Sequence, residues 1–253
     1  MPRFESWFAR HPEVKRVVLL SDPGSHSMTT LSRMLSNYSA TAVFLEIHKT
    51  LNPYTALARS RYLENPRVTV RQASLARQLW RHANYALKAR DTGTLGWGGQ
   101  LSGAQESYDP LWAECRQQLG RKADAPRWHL FPVASGNMVD AFLSFCDRTG
   151  WPHQKVWGLM TGPAVSRTWL KWKYRNESRI RLTTTRPLPY TRYLAEAEVF
   201  LSKTGVTLDP LHSIYCALAL RQKALPYEME ESLHGGIVFW ITCPLVENLR
   251  TWA

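Results

Sequence analysis

Long apolar runs, paired cysteines, internal repeats and low-complexity tracts are all missing from this chain of 253 residues. The most apolar stretch, GGIVFWITCPLV, is too short to span a bilayer, and MPRFESWFARHPEVKR has no apolar core of the signal-peptide kind, so neither membrane insertion nor export is expected. The cysteines, Cys115, Cys146, Cys216 and Cys243, have spacings that fit neither a zinc site nor a short disulfide framework. Reduced, mostly buried thiols, a cytoplasmic location and no metal follow as expectations. Acidic residues are scarce as well: 20 Asp and Glu stand against 32 Lys and Arg, for a formal charge of +12. That excess allows a polyanion, an acidic membrane surface or an anionic small molecule as partner, because net charge bears on association and not on fold.

What remains is 44% apolar residues, ample for a sizeable core. Short β-branched or apolar runs recur: RVVLL, TAVFLEI, RVTVR, RWHLFPVA, KVWGLMTG, EAEVFLS and GGIVFWITC. Between many of them lie helix-length segments, among them MTTLSRMLSNYS, SLARQLWRHANYALKAR and NMVDAFLSFCDRTG. Strands alternating with helices imply crossover units and a mainly parallel sheet, which is the α/β class. In NPYTALARSRYLENPRVTV, Asn52 can cap a helix, Pro53 suits its first turn, and Asn65-Pro66 ends it before the next strand. Glycines cluster in DTGTLGWGGQLSG, where a chain crossing between lobes is expected.

In open α/β sheets, ligands bind beyond the carboxyl ends of strands, where loops meet helix N-termini that favour anions. Two loops have that form. After VVLL comes SDPGSHS, which places Ser25, His26 and Ser27 at a helix start, able to bind a carboxylate or stack on a ring; Ser25 or Ser27 acting only as a cap is the plainer alternative. In FPVASGNMVDAF, the small residues Ala134, Ser135 and Gly136, with Asn137, let backbone amides close around a phosphate, and an ordinary strand-to-helix turn is the alternative. Later, LDPLHSIYCALAL opens a helix with His212 and Ser213 in its first turn. The stretch from Ser166 to Arg192 carries eight Arg or Lys against one acid, interleaved with aromatics. It can track a nucleic-acid backbone, but a solvated, partly extended connection with inward-packed aromatics is the favoured reading.

These loops, in this order, resemble the fold-type II pyridoxal-phosphate enzymes, specifically the aminocyclopropane-carboxylate deaminase and D-cysteine desulfhydrase family. DPGSHS is similar to the family's G-x-x-S-N-H loop, with His26 where Asn is usual. GGQLSGAQESY, Gly98 to Tyr108, matches G-G-S-N-x-x-G-x-x-G-Y, with Ser107 in place of the last Gly. ASGNM matches the phosphate loop G-[ST]-G-[GT]-T, with Met138 in place of Thr, and LDPLHSIY matches LDP-V-Y-[TE]-G-K. The closing H-T-G-G loop is represented by VFWITCPL, which keeps Thr242 but has Cys243-Pro244 for both glycines. The family's Schiff-base lysine stands in G-N-K-x-R-K-L-E, one helix before the first loop. Here Lys15 immediately precedes the first strand and no other lysine lies in a matching motif, so the expectation is a form short of the first strand and lysine.

The resemblance implies a two-lobed α/β architecture of mostly parallel sheets flanked by helices. A smaller lobe is expected over 17–97 and a larger over 98–253, with 1–16 as a leading helix. It further implies pyridoxal phosphate as cofactor, a small amino-acid substrate, and loss of ammonia or a β-substituent. Ser25 would hold the substrate carboxylate and His212 would exchange a proton. His26, Ser135, Gly136, Asn137, Ser213 and Thr242 would hold the cofactor. A homodimer is compatible with this reading. Two alternatives stay open: a non-catalytic descendant that binds an anion or a protein in the old cleft, and a nucleic-acid-binding protein.

Overall fold

The computed structural model describes residues 2–88, 91–99, 105–120, 123–162, 164–184, 189–206, 208–209, 212–221 and 236–241. The chain divides into two compact units, Met1–Tyr108 and Asp109–Ala253.

In the first unit, β1 (Arg16–Ser21), β2 (Thr41–Ile47), β3 (Val68–Ala73) and β4 (Thr92–Leu95) form a parallel sheet in the order β3-β2-β1-β4. The helices α1 (Pro2–Arg10), α2 (His26–Met34), α3 (Pro53–Leu63) and α4 (Leu75–Lys88) accompany it. The unbroken apolar run of β1 follows from burial on both faces, since alternate side chains of a strand point to opposite sides. Val17 and Leu19 pack with Phe4, Trp7, Phe8, Met28 and Leu31, whereas Val18 and Leu20 pack with Val43, Leu45, Tyr85 and Trp97. The start of α3 is a capping box: the Asn52 side chain accepts from Thr55 N at 2.9 Å, the Thr55 hydroxyl lies 3.1 Å from Asn52 N, and Pro53 opens the helix.

In the second unit, β5 (Arg127–Val133), β6 (Gln154–Met160), β7 (Ile180–Thr183) and β8 (Ile237–Phe239) form a parallel sheet in the order β7-β6-β5-β8. It is accompanied by α5 (Asp109–Leu119), α6 (Asn137–Arg148), α7 (Ala164–Lys173), α8 (Tyr190–Thr204) and α9 (Ser213–Arg221). One face of β5 presents Trp128 and Leu130 to Cys216 and Ala219 of α9. The other presents His129 and Phe131 to an aromatic cluster of Trp112, Phe142 and Trp240, whose edge-to-face contacts include Trp112 to Trp240 at 4.7 Å.

Some segments differ from the sequence expectation. EAEVFLS is not a strand; it lies within α8, because Tyr193, Ala197 and Phe200 recur at helical spacing and pack together with Ile214 and Leu218. The basic stretch matches the expected solvated, partly extended connection with inward aromatics only in part: Tyr174 turns inward and part of the stretch is a strand, β7, but most of α7 lies in it and two tryptophans face out. Trp169 and Trp172 are 39% and 62% exposed, while Leu170 and Tyr174 are buried. The glycine-rich DTGTLGWGG is not wholly a crossing, since its first part is β4, paired with β1 through Arg16↔Thr92 to Leu19↔Leu95.

Candidate functional site

In the first unit the loop after β1 is tied to its surroundings by side chains from α3 and β2. Gly24 has φ +70°, and a Cβ there would stand 2.4 Å from the Thr55 carbonyl oxygen, so only glycine fits. Gly24 N donates to the Tyr62 hydroxyl at 2.8 Å, and that hydroxyl donates to Glu46 Oε1. Glu46 is fully buried; Arg59 Nε lies 3.2 and 2.9 Å from its two oxygens, and Gln72 Nε2 donates to Oε2 at 2.9 Å. Burial and the Glu46 carboxylate push the Tyr62 phenol far above its ordinary pKa, so it stays protonated. A charge out of water is tolerable when its lone pairs are filled in this way.

Ser25 is the N-cap of α2, its side chain accepting from Met28 N at 3.3 Å, and the capping alternative is therefore realised. His26 Nε2 is 3.4 Å from the Tyr54 hydroxyl. Ser27 donates to the Gly98 carbonyl, and Gly98 N to the Leu20 carbonyl at 3.2 Å, which joins the GG turn to the end of β1. Lys49, just beyond β2, has its Nζ 3.8 Å from Asp22 Oδ1 in the same loop.

In the second unit the turn between β5 and α6 is built differently. Gly136, at φ +83°, is the N-cap of α6 and supplies no side-chain cap to the helix amides. The Tyr174 hydroxyl lies 3.1 Å from the Gly136 carbonyl and 2.7 Å from Asp140 Oδ1, and Lys173 pairs with the other Asp140 oxygen. Ser166 donates to the Ala134 carbonyl at 2.7 Å and Thr161 N to the Val133 carbonyl at 3.0 Å. Ser135 and Asn137 flank Gly136, half-buried.

The buried Asp209 caps α9, accepting from His212 N at 2.6 Å and Ser213 N at 2.8 Å. This places His212 Nδ1 2.9 Å from the Thr161 hydroxyl beyond β6, and Ser213 is fully enclosed. Thr242, with Cys243-Pro244, lies outside the described residues. Sequence reasoning did not find Glu46, Tyr62 or Tyr174; an acid inside the apolar run TAVFLEI was the signal for the first.

No protein-family model matches the chain, and no curated protein matches it. Solved structures do. A structure described as an aminocyclopropane-carboxylate (ACC) deaminase homologue superposes with TM-score 0.70 at 14% identity, covering 99% of this chain and 82% of that one. The L-serine ammonia-lyase of the fungus Rhizomucor miehei gives 0.62 at 11%, covering 98% and 85%. Threonine synthase from Brucella melitensis, solved with pyridoxal phosphate bound, gives 0.59 at 10%, covering 99% and 65%. The likeness is one of fold, two parallel sheets flanked by helices.

Proposed function

Starting from a chain with the fold of the fold-type II pyridoxal-phosphate enzymes, we propose a lyase- or deaminase-like protein that holds pyridoxal phosphate and a small amino acid, and, on the order of its sequence motifs, one of the deaminase and D-cysteine desulfhydrase kind. The observation that carries this reading is the start of α6. Its first amides have no side-chain cap, Gly136 turns the backbone there, and Ser135 and Asn137 add polar side chains. That donor set suits a phosphate ester, whose charge a helix N-terminus favours. Ser135, Gly136 and Asn137 would hold the phosphate. Ser213, pinned by Asp209, would face the pyridine nitrogen, and His26 and Thr242 would add to the cofactor's surroundings.

Pyridoxal phosphate, held there, would supply an electron sink for negative charge developing on the substrate. The chain's own residues do the rest. Ser25 would donate to the substrate carboxylate, its lone pair staying on Met28 N. Thr161 and His212, joined at 2.9 Å, form a hydroxyl–imidazole pair that could hold or move a proton at His212 Nε2.

The fit to the cofactor's aldehyde is poorer. Among the described residues of the second unit, Lys173 is paired with Asp140, Lys155 lies over the Trp128 ring, and Lys171 and Lys203 are exposed. In the first unit, Lys49 stands beside Asp22 and Lys15 precedes β1. No proton step is therefore assigned to a lysine.

The test is titration of the full chain with pyridoxal phosphate, followed by borohydride reduction and peptide mapping. We expect saturable one-to-one binding that weakens in Ser135→Ala. Reduction that labels one lysine would identify the amine, and saturable binding without a label would mean that the cofactor is held without covalent attachment. Labelling spread over many lysines with no saturation would overturn the proposal.

A further inference from the structure

We propose that the outward face of α4 is a docking surface for anionic phospholipid bilayers. The burial of this helix is only partly that of an ordinary amphipathic one: Tyr85 packs on the core with Val18 and Leu20, but polar groups share that side and large apolar ones face out. Its inner side encloses Gln78, which is fully buried and donates to the carbonyls of Glu46, at 2.7 Å, and Arg71; His82 Nε2 lies 2.8 Å from the Leu95 carbonyl. Its outer side exposes Leu79 at 50%, Trp80 at 66% and Leu87 at 84%, with Ala76 a turn before them and Ala83 between them, both exposed. These positions follow the spacing of a single helical stripe, so the apolar side chains face the same way. An apolar stripe turned to solvent marks an interaction surface.

Charge selects the occupant. From Leu75 to Lys88 there is no acidic residue; exposed Arg77 edges the stripe, and half-buried Arg81 lies on the same side of the helix with its guanidinium 3.4 Å from Gln78 Oε1. Exposed Arg71 on β3 adds to them. A second copy related by a two-fold axis would bring these arginines against themselves, which is repulsive. A nucleic acid would meet aliphatic Leu79 and Leu87 where stacking needs rings. Leucine and tryptophan on one side of a helix, edged by arginine and borne on the convex surface of a single helix, suit a lipid headgroup layer instead. The second unit repeats the composition independently. Helix α7 has no acid and exposes Trp169 and Trp172; Arg175, just beyond it, lies over the Trp172 ring at 4.7 Å, while Lys173, 4.8 Å from the Trp169 ring, is paired with Asp140.

The experiment is co-sedimentation of the full chain with vesicles of phosphatidylcholine alone and with added phosphatidylserine, read together with tryptophan emission. The expected result is partition onto the phosphatidylserine vesicles with a blue shift, weakened by salt. Leu79→Glu/Leu87→Glu abolishes it, and Arg77→Ala lowers affinity about fivefold. Leu79→Ser/Leu87→Ser, checked by circular dichroism, guards against misfolding and should weaken binding in the same direction. No partition, or partition that is equal on both vesicles and blind to the α4 variants, overturns the proposal. So does a dimer, seen by light scattering, that the glutamate variant dissolves, or α4-dependent binding to a single-stranded oligonucleotide without vesicle binding.

Discussion

The two loops that the sequence singles out stand in contrast. After β1, every turn of the chain is tied down: Gly24 to Tyr62, Ser25 to the α2 amides, Ser27 to Gly98, with the buried Glu46 behind them. After β5, α6 begins with a glycine and no side-chain cap, while Tyr174 and Lys173 hold the first turn from the side through Asp140. The first arrangement uses its polar groups internally. The second has no side chain capping the first turn of its helix, and what steadies that turn comes from α7 and the residue after it.

That contrast breaks most readily at Glu46. Glu46→Leu leaves Arg59 and Tyr62 without their acceptor, and loss of one member of a buried pair costs about 3–5 kcal/mol. Urea unfolding should show it, and a change under 1 kcal/mol would mean that the network holds nothing in place. The second unit has its own buried polar group, His129, held between Gln154 at 3.0 Å and the Trp240 indole at 3.1 Å. Burial lowers its pKa to about 4 from 6.5. Its folded pKa is below the unfolded one, so the unfolded chain binds more protons in between. Stability is therefore intact above pH 6.5 and falls as pH drops towards 4, by about 3 kcal/mol in total. His129→Gln should flatten that slope in melts across this window, and an unchanged slope would point to another group.

Glycine substitutions separate the loops next. Gly24→Ala meets the Thr55 backbone and Gly136→Ala meets the Tyr174 hydroxyl at 2.5 Å, each also straining a positive φ, for about 1–3 kcal/mol. Backbone cannot yield as a side chain can, so Gly24→Ala should cost more; the reverse order in thermal melts would contradict the asymmetry. The smallest effect sharpens the contrast most. Ser25→Ala should cost about 1 kcal/mol as a lost cap, while Ser135→Ala should leave the apo chain within about 0.5 kcal/mol. Equal losses at both would place Ser135 in the same structural role as Ser25.

Much of this was legible in the sequence. RVVLL and TAVFLEI are strands because apolar runs of that length need burial on both faces, RVTVR is one because its valines alternate with polar residues on an edge strand, and Asn52-Pro53 starts a helix through local bonds alone. EAEVFLS misled because its apolar residues satisfy a strand in isolation; packing of Tyr193 and Ala197 with α9 made it helical. β4 was hidden by its glycine, and the exposure of Trp169 and Trp172 by the usual expectation that tryptophans turn inward.

By itself, the sequence determined what depends on near neighbours: the type of most elements, caps, glycine turns, charge, and the order of the motifs that resemble the pyridoxal-phosphate family. Tertiary structure alone decided which distant groups meet. Glu46 finds Tyr62 and Arg59, and His212 finds Thr161, fifty-one residues away, because parallel strands bring their carboxyl ends to one edge while helices return the chain. The same packing turned Gln78 inward and Trp80 outward on α4, since a buried amide with two carbonyl acceptors is satisfied and a helix can present only one side to its sheet.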